Sequence, residues 1–209
     1  MARYTGAVCR LCRRAQEKLF LKGTRCFLEK CAVVKRNYAP GQQANKRRVK
    51  LSNYGLQMRE KQKVKRMYGV LEKQFRRYFS IAARSKGVTG KVLLQLLERR
   101  LDNVIFRLGI GLSRSQARQI VRHNQVYVNS KRVNIPSFTV SKGDAITMKA
   151  KEKGLNKIRE NLETSKDKTL PSWLDFDQKS LRANILRLPE KEDIQQLIQE
   201  QLIVELYSK

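Results

Sequence analysis

The sequence predicts an α+β chain, and three observations predict it. Leu94, Leu97, Leu101, Val104 and Leu108 recur at spacings of three and four, the period of a helix face. From Val126 onward the apolar residues alternate instead. Val126, Val128, Val133 and Ile135 flank the turn residues Asn129-Ser130, while Phe138, Val140, Ile146 and Met148 flank Gly143-Asp144, as in short antiparallel strands. Ahead of both lies a cysteine-bearing segment of different composition. The expected organisation is an N-terminal module over residues 1–45 and a mainly helical part over 46–91. Helices packed on a small antiparallel sheet follow over 92–188, with their core at 99–150, and a segment 189–209 packs back on the helical part.

The first module is defined by its thiols. Cys9, Cys12, Cys26 and Cys31 have the spacing C-x2-C-x13-C-x4-C. Two close pairs joined by a loop offer four soft ligands to one tetrahedral zinc, with Lys22-Gly23-Thr24-Arg25 as the turn into the second pair. Four protein ligands leave no open position, so the expected zinc is structural. Two disulfides are the alternative, but they suit an oxidising compartment. The start of the chain, MARYTGAVCRLCRR, lacks the apolar stretch of a secretory signal. No apolar run approaches the ~18–20 residues that span a bilayer. The expected location is therefore cytoplasmic. Arg10, Arg13, Arg14, Lys18, Lys22 and Arg25 surround the cysteines and bring phosphate within the module's reach.

Pro40 and Gly41 break the chain before the basic arm Lys46-Arg47-Arg48-Val49-Lys50, of a kind that orders on nucleic acid. Ser52 starts a helix ending near Gly69. Arg59, Lys61, Lys63, Lys65 and Arg66 dominate it, and Val64, Met67 and Tyr68 form its narrow apolar strip. Leu71, Phe75, Tyr78 or Phe79, and Ala82 give the next helix an inward face, with the aromatics as core and not as base-stacking platforms. Gly87-Val88-Thr89-Gly90-Lys91 is a loop in which Thr89 can cap a long helix. It lacks the G-x-x-x-x-G-K-[ST] spacing of a phosphate-binding loop.

That long helix is expected to run through Leu108 and end at Gly109, with Arg100, Asn103 and Arg107 on a separate face. After Ile110-Gly111-Leu112, Ser113 caps a second helix whose Ala117, Ile120 and Val121 point inward. Arg114, Arg118 and Arg122, at i, i+4 and i+8, form a guanidinium stripe on another side. Like charges so placed repel by about 0.2–0.5 kcal/mol per pair, so the stripe is expected to meet an anion and to carry affinity, not stability; the alternative is a solvated basic face. Ser113, Ser115 and the free amides of the first turn add phosphate donors at the positive end of the helix dipole. His123, the single histidine, closes this helix, and Lys131 and Arg132 stand at the hairpin tip. Further on, Gly154 to Glu163 suits a helix, Trp173 to Phe176 and Ile185 to Leu188 suit short strands, and Leu202 to Tyr207 is too apolar to fray.

The 46 Lys and Arg against 18 Asp and Glu give a formal net charge of +28, spread along the chain. Such an excess disfavours the compact state unless a polyanion is present, and nucleic acid is the leading partner. An anionic membrane surface ranks second.

SRSQARQIVRHNQVYVNSKRV, SKGDAI and the flanking LDNVIFRLG resemble the small RNA-binding domain named after protein S-four of the small ribosomal subunit. ARYTGAVCRLCRR, LKGTRCFLEKC, YAPGQ, SWLDFD and QLIVELYSK extend the resemblance over nearly the whole chain, to the bacterial S-four family in its zinc-bearing form. Asn124 and Ser130 stand where many relatives carry glycine, and Gln43-Ala44 where many carry His-Gly. The resemblance implies an S-four-type domain whose two helices and adjoining loop lie on structured RNA. It implies a non-enzymatic constituent of the small subunit that binds its ribosomal RNA directly, nucleates assembly of the subunit body and influences decoding accuracy. The implied neighbours are the fifth and twelfth proteins of that subunit, near where messenger RNA enters; no membrane or small-molecule substrate is implied. The residues expected to meet RNA are Arg13, Arg14, Lys46, Arg47, Arg48, Arg59, Lys63, Arg66, Arg100, Arg107, Ser113, Arg114, Ser115, Arg118, Arg122, His123, Lys131 and Arg132. The alternative is an RNA-modifying enzyme or synthetase carrying this domain as an accessory, which requires a catalytic domain that the sequence does not display. A zinc-dependent DNA-binding regulator is a third reading and would want a recognition helix beside the cysteines.

Overall fold

A computed structural model describes residues 3–41, 51–165, 169–194 and 198–208. Its helices are α1 (Val8–Ala15), α2 (Ala32–Lys35), α3 (Asn53–Met67), α4 (Glu72–Arg84), α5 (Thr89–Glu98), α6 (Leu101–Arg107), α7 (Arg114–Arg122), α8 (Glu152–Thr164) and α9 (Glu200–Tyr207). The strands are β1 (Val126–Val128), β2 (Lys131–Arg132), β3 (Ala145–Met148), β4 (Leu174–Asp177) and β5 (Arg182–Ile185). Two compact units result, Met1–Leu93 with Gln196–Lys209, and Leu94–Gln195. The α+β class is thereby established.

In the first unit the Ser52 hydroxyl caps α3 by accepting from the Gly55 amide at 3.2 Å. Val64, Met67 and Tyr68 are buried, as are Phe75, Tyr78 and Ala82 of α4, so these aromatics are core. The apolar C-terminal stretch forms α9 and packs on α3. Gln57 donates to Glu205 at 2.8 Å, and the Gln199 amide donates to Glu60 at 3.0 Å. Glu72 ties three helices together. It accepts from Lys61 and Lys65, each at 3.0 Å, and from the Tyr207 hydroxyl at 2.8 Å. The Tyr207 ring stacks on Phe79 with centroids 4.6 Å apart.

Burial alone would raise the Glu72 carboxyl, but the hydrogen bonds from Lys61, Lys65 and Tyr207 prevail and lower it from 4.5 to about 2. A folded-state pKa below the unfolded one contributes stability that is complete above the unfolded value. The first unit should therefore lose stability as pH falls from 4.5 through about 2. Glu72→Gln should flatten that part of a stability–pH curve; an unchanged curve would assign the acid sensitivity to other carboxylates.

The second unit corrects two expectations. The apolar face from Leu94 to Leu108 belongs to two helices, not one. Between them Arg100 is extended, at φ −67° and ψ 134°, and bridges to Thr139. The Leu101 amide donates to the Phe138 carbonyl at 2.9 Å, and the Val140 amide to the Arg99 carbonyl at 3.0 Å. Phe138 and Val140 therefore dock on this break and lie outside the strand pair expected of them. The helical spacing survives because both helices bury the same face: Leu94, Leu97, Leu101, Val104 and Leu108 are all buried.

The sheet is antiparallel throughout, in the order β2-β1-β3-β5-β4. Val126, Val128, Ile146, Met148, Ala183 and Ile185 share one core with Val104, Ala117, Val121 and Ile158 from α6, α7 and α8. Asn129 and Ser130 join β1 to β2 with φ of 46° and 66°, both left-handed, as in a type I′ turn. Asparagine tolerates this conformation, whereas serine is strained in it. Ser130→Gly should raise the stability of this unit by about 0.5–1 kcal/mol in a denaturant titration, and a loss instead would contradict the turn assignment.

Candidate nucleic-acid interface

Gly111 sets the approach of α7 to α6. A Cβ there would lie 2.8 Å from the Ala117 backbone nitrogen, closer than real side chains come. Ser113 caps α7 by accepting from the Gln116 amide at 3.3 Å, and the Gln116 side chain accepts in turn from the Leu112 amide at 2.9 Å. The first turn of α7 is thereby fixed with its basic side chains in place.

Two buried carboxylates then organise the arginines. Asp102, 5 % exposed, accepts from Arg100 at 3.2 and 3.0 Å and from Arg118 at 3.2 Å. Glu98, 1 % exposed, accepts from both the Nε and Nη2 of Arg107, at 3.0 and 2.7 Å. Glu98 also accepts from Asn103 at 2.7 Å, and the Asn103 oxygen accepts from Arg114 at 2.8 Å. The Arg114 guanidinium lies 4.5 Å over the Phe106 ring. Burial lowers the Arg118 guanidinium from its ordinary value; Asp102 opposes this and Arg100 adds to it.

The predicted residues thus divide. Arg100 is 1 % exposed and has no surface to offer phosphate, so its expected RNA contact is corrected to an internal ion pair. Arg118 is 9 % exposed and pairs with Asp102, so the expected uniform stripe is not one. Arg107 is held by Glu98, and half-buried Arg114 by Asn103. The exposed groups are Ser115, Arg122 and His123 on α7 and at its end, with Lys131 and Arg132 of the hairpin. They belong to one continuous segment, since α7 passes through left-handed Asn124, φ 60°, into β1.

In the first unit Arg59 is exposed on α3. Lys63 pairs with Glu17 at 2.9 Å and with Glu60 at 3.6 Å. Arg66 is half-buried, and its guanidinium is lowered first by burial and then by the neighbouring charge of Arg14. Arg13 donates to the Tyr38 carbonyl at 3.0 Å and lies 4.6 Å over the Tyr38 ring. Lys46, Arg47 and Arg48 lie outside the described residues.

Cys9, Cys12, Cys26 and Cys31 line one small cavity together with Val8, Leu21 and Ala32. All four are free thiols. The Lys22 amide donates to the Cys26 sulfur at 3.3 Å. As the side chains stand, no three potential ligands among the described residues meet the spacing of a metal site.

A family model described as the ribosomal protein S4/S9 N-terminal domain matches residues 3–98, and the S4 domain model matches 99–146. The chain belongs to the uS4 family. Proteins called small ribosomal subunit protein uS4 from Pelotomaculum thermopropionicum and Dictyoglomus turgidum are each 56 % identical to it, and one from Acetivibrio thermocellus is 55 % identical. Each alignment covers 209 residues, 100 % of both chains. The S4 domain match spans α6, α7 and β1 to β2, which contain Asp102 and the exposed cations, and ends within β3.

Sequence reasoning missed Glu98 and Asp102 as organisers. A signal existed: between Glu98 and Asp144 the sequence contains one acid, Asp102, among nine Lys and Arg.

Proposed function

We propose that this chain is a structural, non-enzymatic constituent of the small ribosomal subunit and binds small-subunit ribosomal RNA directly. The observation that carries the reading is the surface from Ser115 to Arg132, whose exposed cations sit on a core braced by two buried carboxylates. Full-length similarity to proteins named as uS4 supports the assignment to the small subunit, and with it the cytoplasmic ribosome as location. Guanidinium groups fit phosphate bidentately, and a rigid helix pair reads RNA by shape. The described residues include no helix long and apolar enough to cross a membrane. The family resemblance further supports a role in nucleating the subunit body and in decoding accuracy, beside the fifth and twelfth proteins and near incoming messenger RNA.

One structural zinc belongs to the same reading, held by Cys9, Cys12, Cys26 and Cys31. What supports it is the donor chemistry: four unpaired thiols share one cavity, and a backbone amide points at one sulfur. A bound zinc would cross-link the module and supply no reaction.

The test is a footprint on small-subunit ribosomal RNA, paired with a salt titration. If roughly 8 phosphates are neutralised, log K should fall with log salt at a slope of about −6 to −7. Arg122→Glu, Lys131→Glu and Arg132→Glu should each reduce that slope by about 1 and weaken binding. Their thermal midpoints should stay within a few degrees, because all three residues are exposed. A slope near zero would point to a partner other than RNA.

A further inference from the structure

We propose that the open face of the sheet, centred on Tyr127, is a second RNA contact that takes an unpaired, single-stranded segment. The inference rests on the reading of RNA as partner and adds a surface that the helix pair does not include.

The register builds this surface. Tyr127 pairs with Arg132 on one side and Thr147 on the other; Thr147 pairs with Arg182, and Arg182 with Asp177. Residues in register share a face, so these five side chains form one row across all five strands. The opposite face holds buried Val126, Val128, Ile146 and Met148. Lys149, two residues after Thr147, lies on the same side as Tyr127, with its Nζ 5.0 Å from the ring centroid. Arg132, Lys149 and Arg182 are exposed, whereas Tyr127 and Thr147 are half-buried. Helices α6, α7 and α8 contribute to the core on the other face.

Charge then selects the occupant. Arg100, Arg107 and Arg118 are each paired with a carboxylate. Arg132, Lys149 and Arg182 have no carboxylate partner within 4.0 Å among the described residues. The sign changes at the far edge, where Asp177 accepts from Ser180 at 2.6 Å and Asp175 accepts from Asn184 at 3.4 Å, and at the end of the β1–β3 pair, where Asp144 accepts from Asn129 at 2.7 Å. A polyanion is therefore directed over β2, β1, β3 and Arg182, away from β4. Within β3 and β5 the rest of this face is small or polar, Ala145, Thr147 and Asn184, with one exposed apolar side chain, Leu186, just past β5. An apolar protein partner would find little to bury there. One aromatic ring flanked by cations is enough for a single strand, whose bases stack on the ring while its phosphates meet the ammonium and guanidinium groups. A duplex would use the cations but leave the ring idle. Stacking on Tyr127 requires Lys149 to move from over the ring to a phosphate, a rotamer change of an exposed side chain.

The experiment uses the full chain, a short unstructured RNA containing 4-thiouridine, and a structured fragment of small-subunit ribosomal RNA. Photo-cross-links from the short RNA should map to Tyr127 or Lys149. Tyr127→Val should weaken single-strand binding about ten-fold, while Tyr127→Phe, which keeps the ring, should change it less than about two-fold. Lys149→Glu with Arg182→Glu should weaken it further and flatten its salt dependence. None of these variants should alter affinity for the structured fragment. Cross-links confined to α7 or the hairpin tip, or parental single-strand binding by Tyr127→Val, would overturn the proposal. So would competition for this face by an acidic peptide but not by the short RNA. Loss of structured-fragment binding by the parent chain would instead defeat the reading on which the inference rests.

Discussion

Asp102→Ala should lower the stability of the second unit by about 3–5 kcal/mol, because it leaves the buried guanidinium groups of Arg100 and Arg118 without their shared carboxylate. The chain's single tryptophan, Trp173, is fully buried in this unit, so its fluorescence during denaturant unfolding reports the loss directly. Asp102→Asn should cost less, since its oxygen can still accept one hydrogen bond. Arg100→Met combined with Asp102→Ala should recover part of the loss, because one fewer charge is then stranded. A cost below about 1 kcal/mol for Asp102→Ala would show that water reaches both guanidinium groups. The same geometry revises the idea that the arginines of α7 act on affinity alone. Arg118→Glu would face Asp102 with a second carboxylate in a buried site and should destabilise this unit. Arg122→Glu, on an exposed turn, should leave the midpoint nearly unchanged.

Local signals were legible in the sequence and distant ones were not. Ser52 and Ser113 are caps, and each acts through an amide three residues on. The apolar faces of α3 to α7 follow from spacing, since burial needs only the right side chain on the right side. The break at Arg100 was invisible because its cause, the backbone pairing of Arg99 to Leu101 with Phe138 to Val140, lies about forty residues away. The same limit explains the arginines. A guanidinium aimed at solvent and one aimed at a buried carboxylate occupy similar positions on a helical wheel, and the partner decides. Arg118 and Arg122 stand one turn apart on α7, yet only Arg118 meets a buried carboxylate, and only the lone acid at Asp102 hinted at it. The hairpin was readable in place, but its second strand was expected to include Val133 and Ile135, whereas β2 stops at Arg132 and leaves Ile135 exposed, at 50 %.

Removing the proposed zinc should dismantle the N-terminal module and leave the second unit folded. Among described residues 3–41 the buried apolar side chains are Cys12, Leu19, Cys26 and Cys31, so the interior is three thiols and one leucine. Phe27 and Leu28 are exposed, at 65 % and 56 %. Such an interior is far too small to order a chain segment unaided. Metal binding at a comparable site contributes an apparent ~10–16 kcal/mol at neutral pH, enough to hold it. Burial raises the thiols of Cys12 and Cys26 above 9.0, so the metal-free module retains those protons at neutral pH and zinc must displace them. Affinity should accordingly fall on acidification. The ion pair from Glu17, just past α1, to Lys63 of α3 at 2.9 Å is partly exposed, is worth about 0–1 kcal/mol and cannot replace a metal. Protein prepared under reducing conditions should contain one zinc per chain by elemental analysis. Chelation, or Cys9→Ser with Cys12→Ser, should make the first module protease-sensitive while Trp173 fluorescence stays native. RNA affinity should fall in part, because Arg13 and Arg14 leave with the module while the cations of α7 and the hairpin remain. Absence of zinc would end the metal assignment. Chelation that also unfolds the tryptophan-bearing unit would keep the metal but refute the independence of the two.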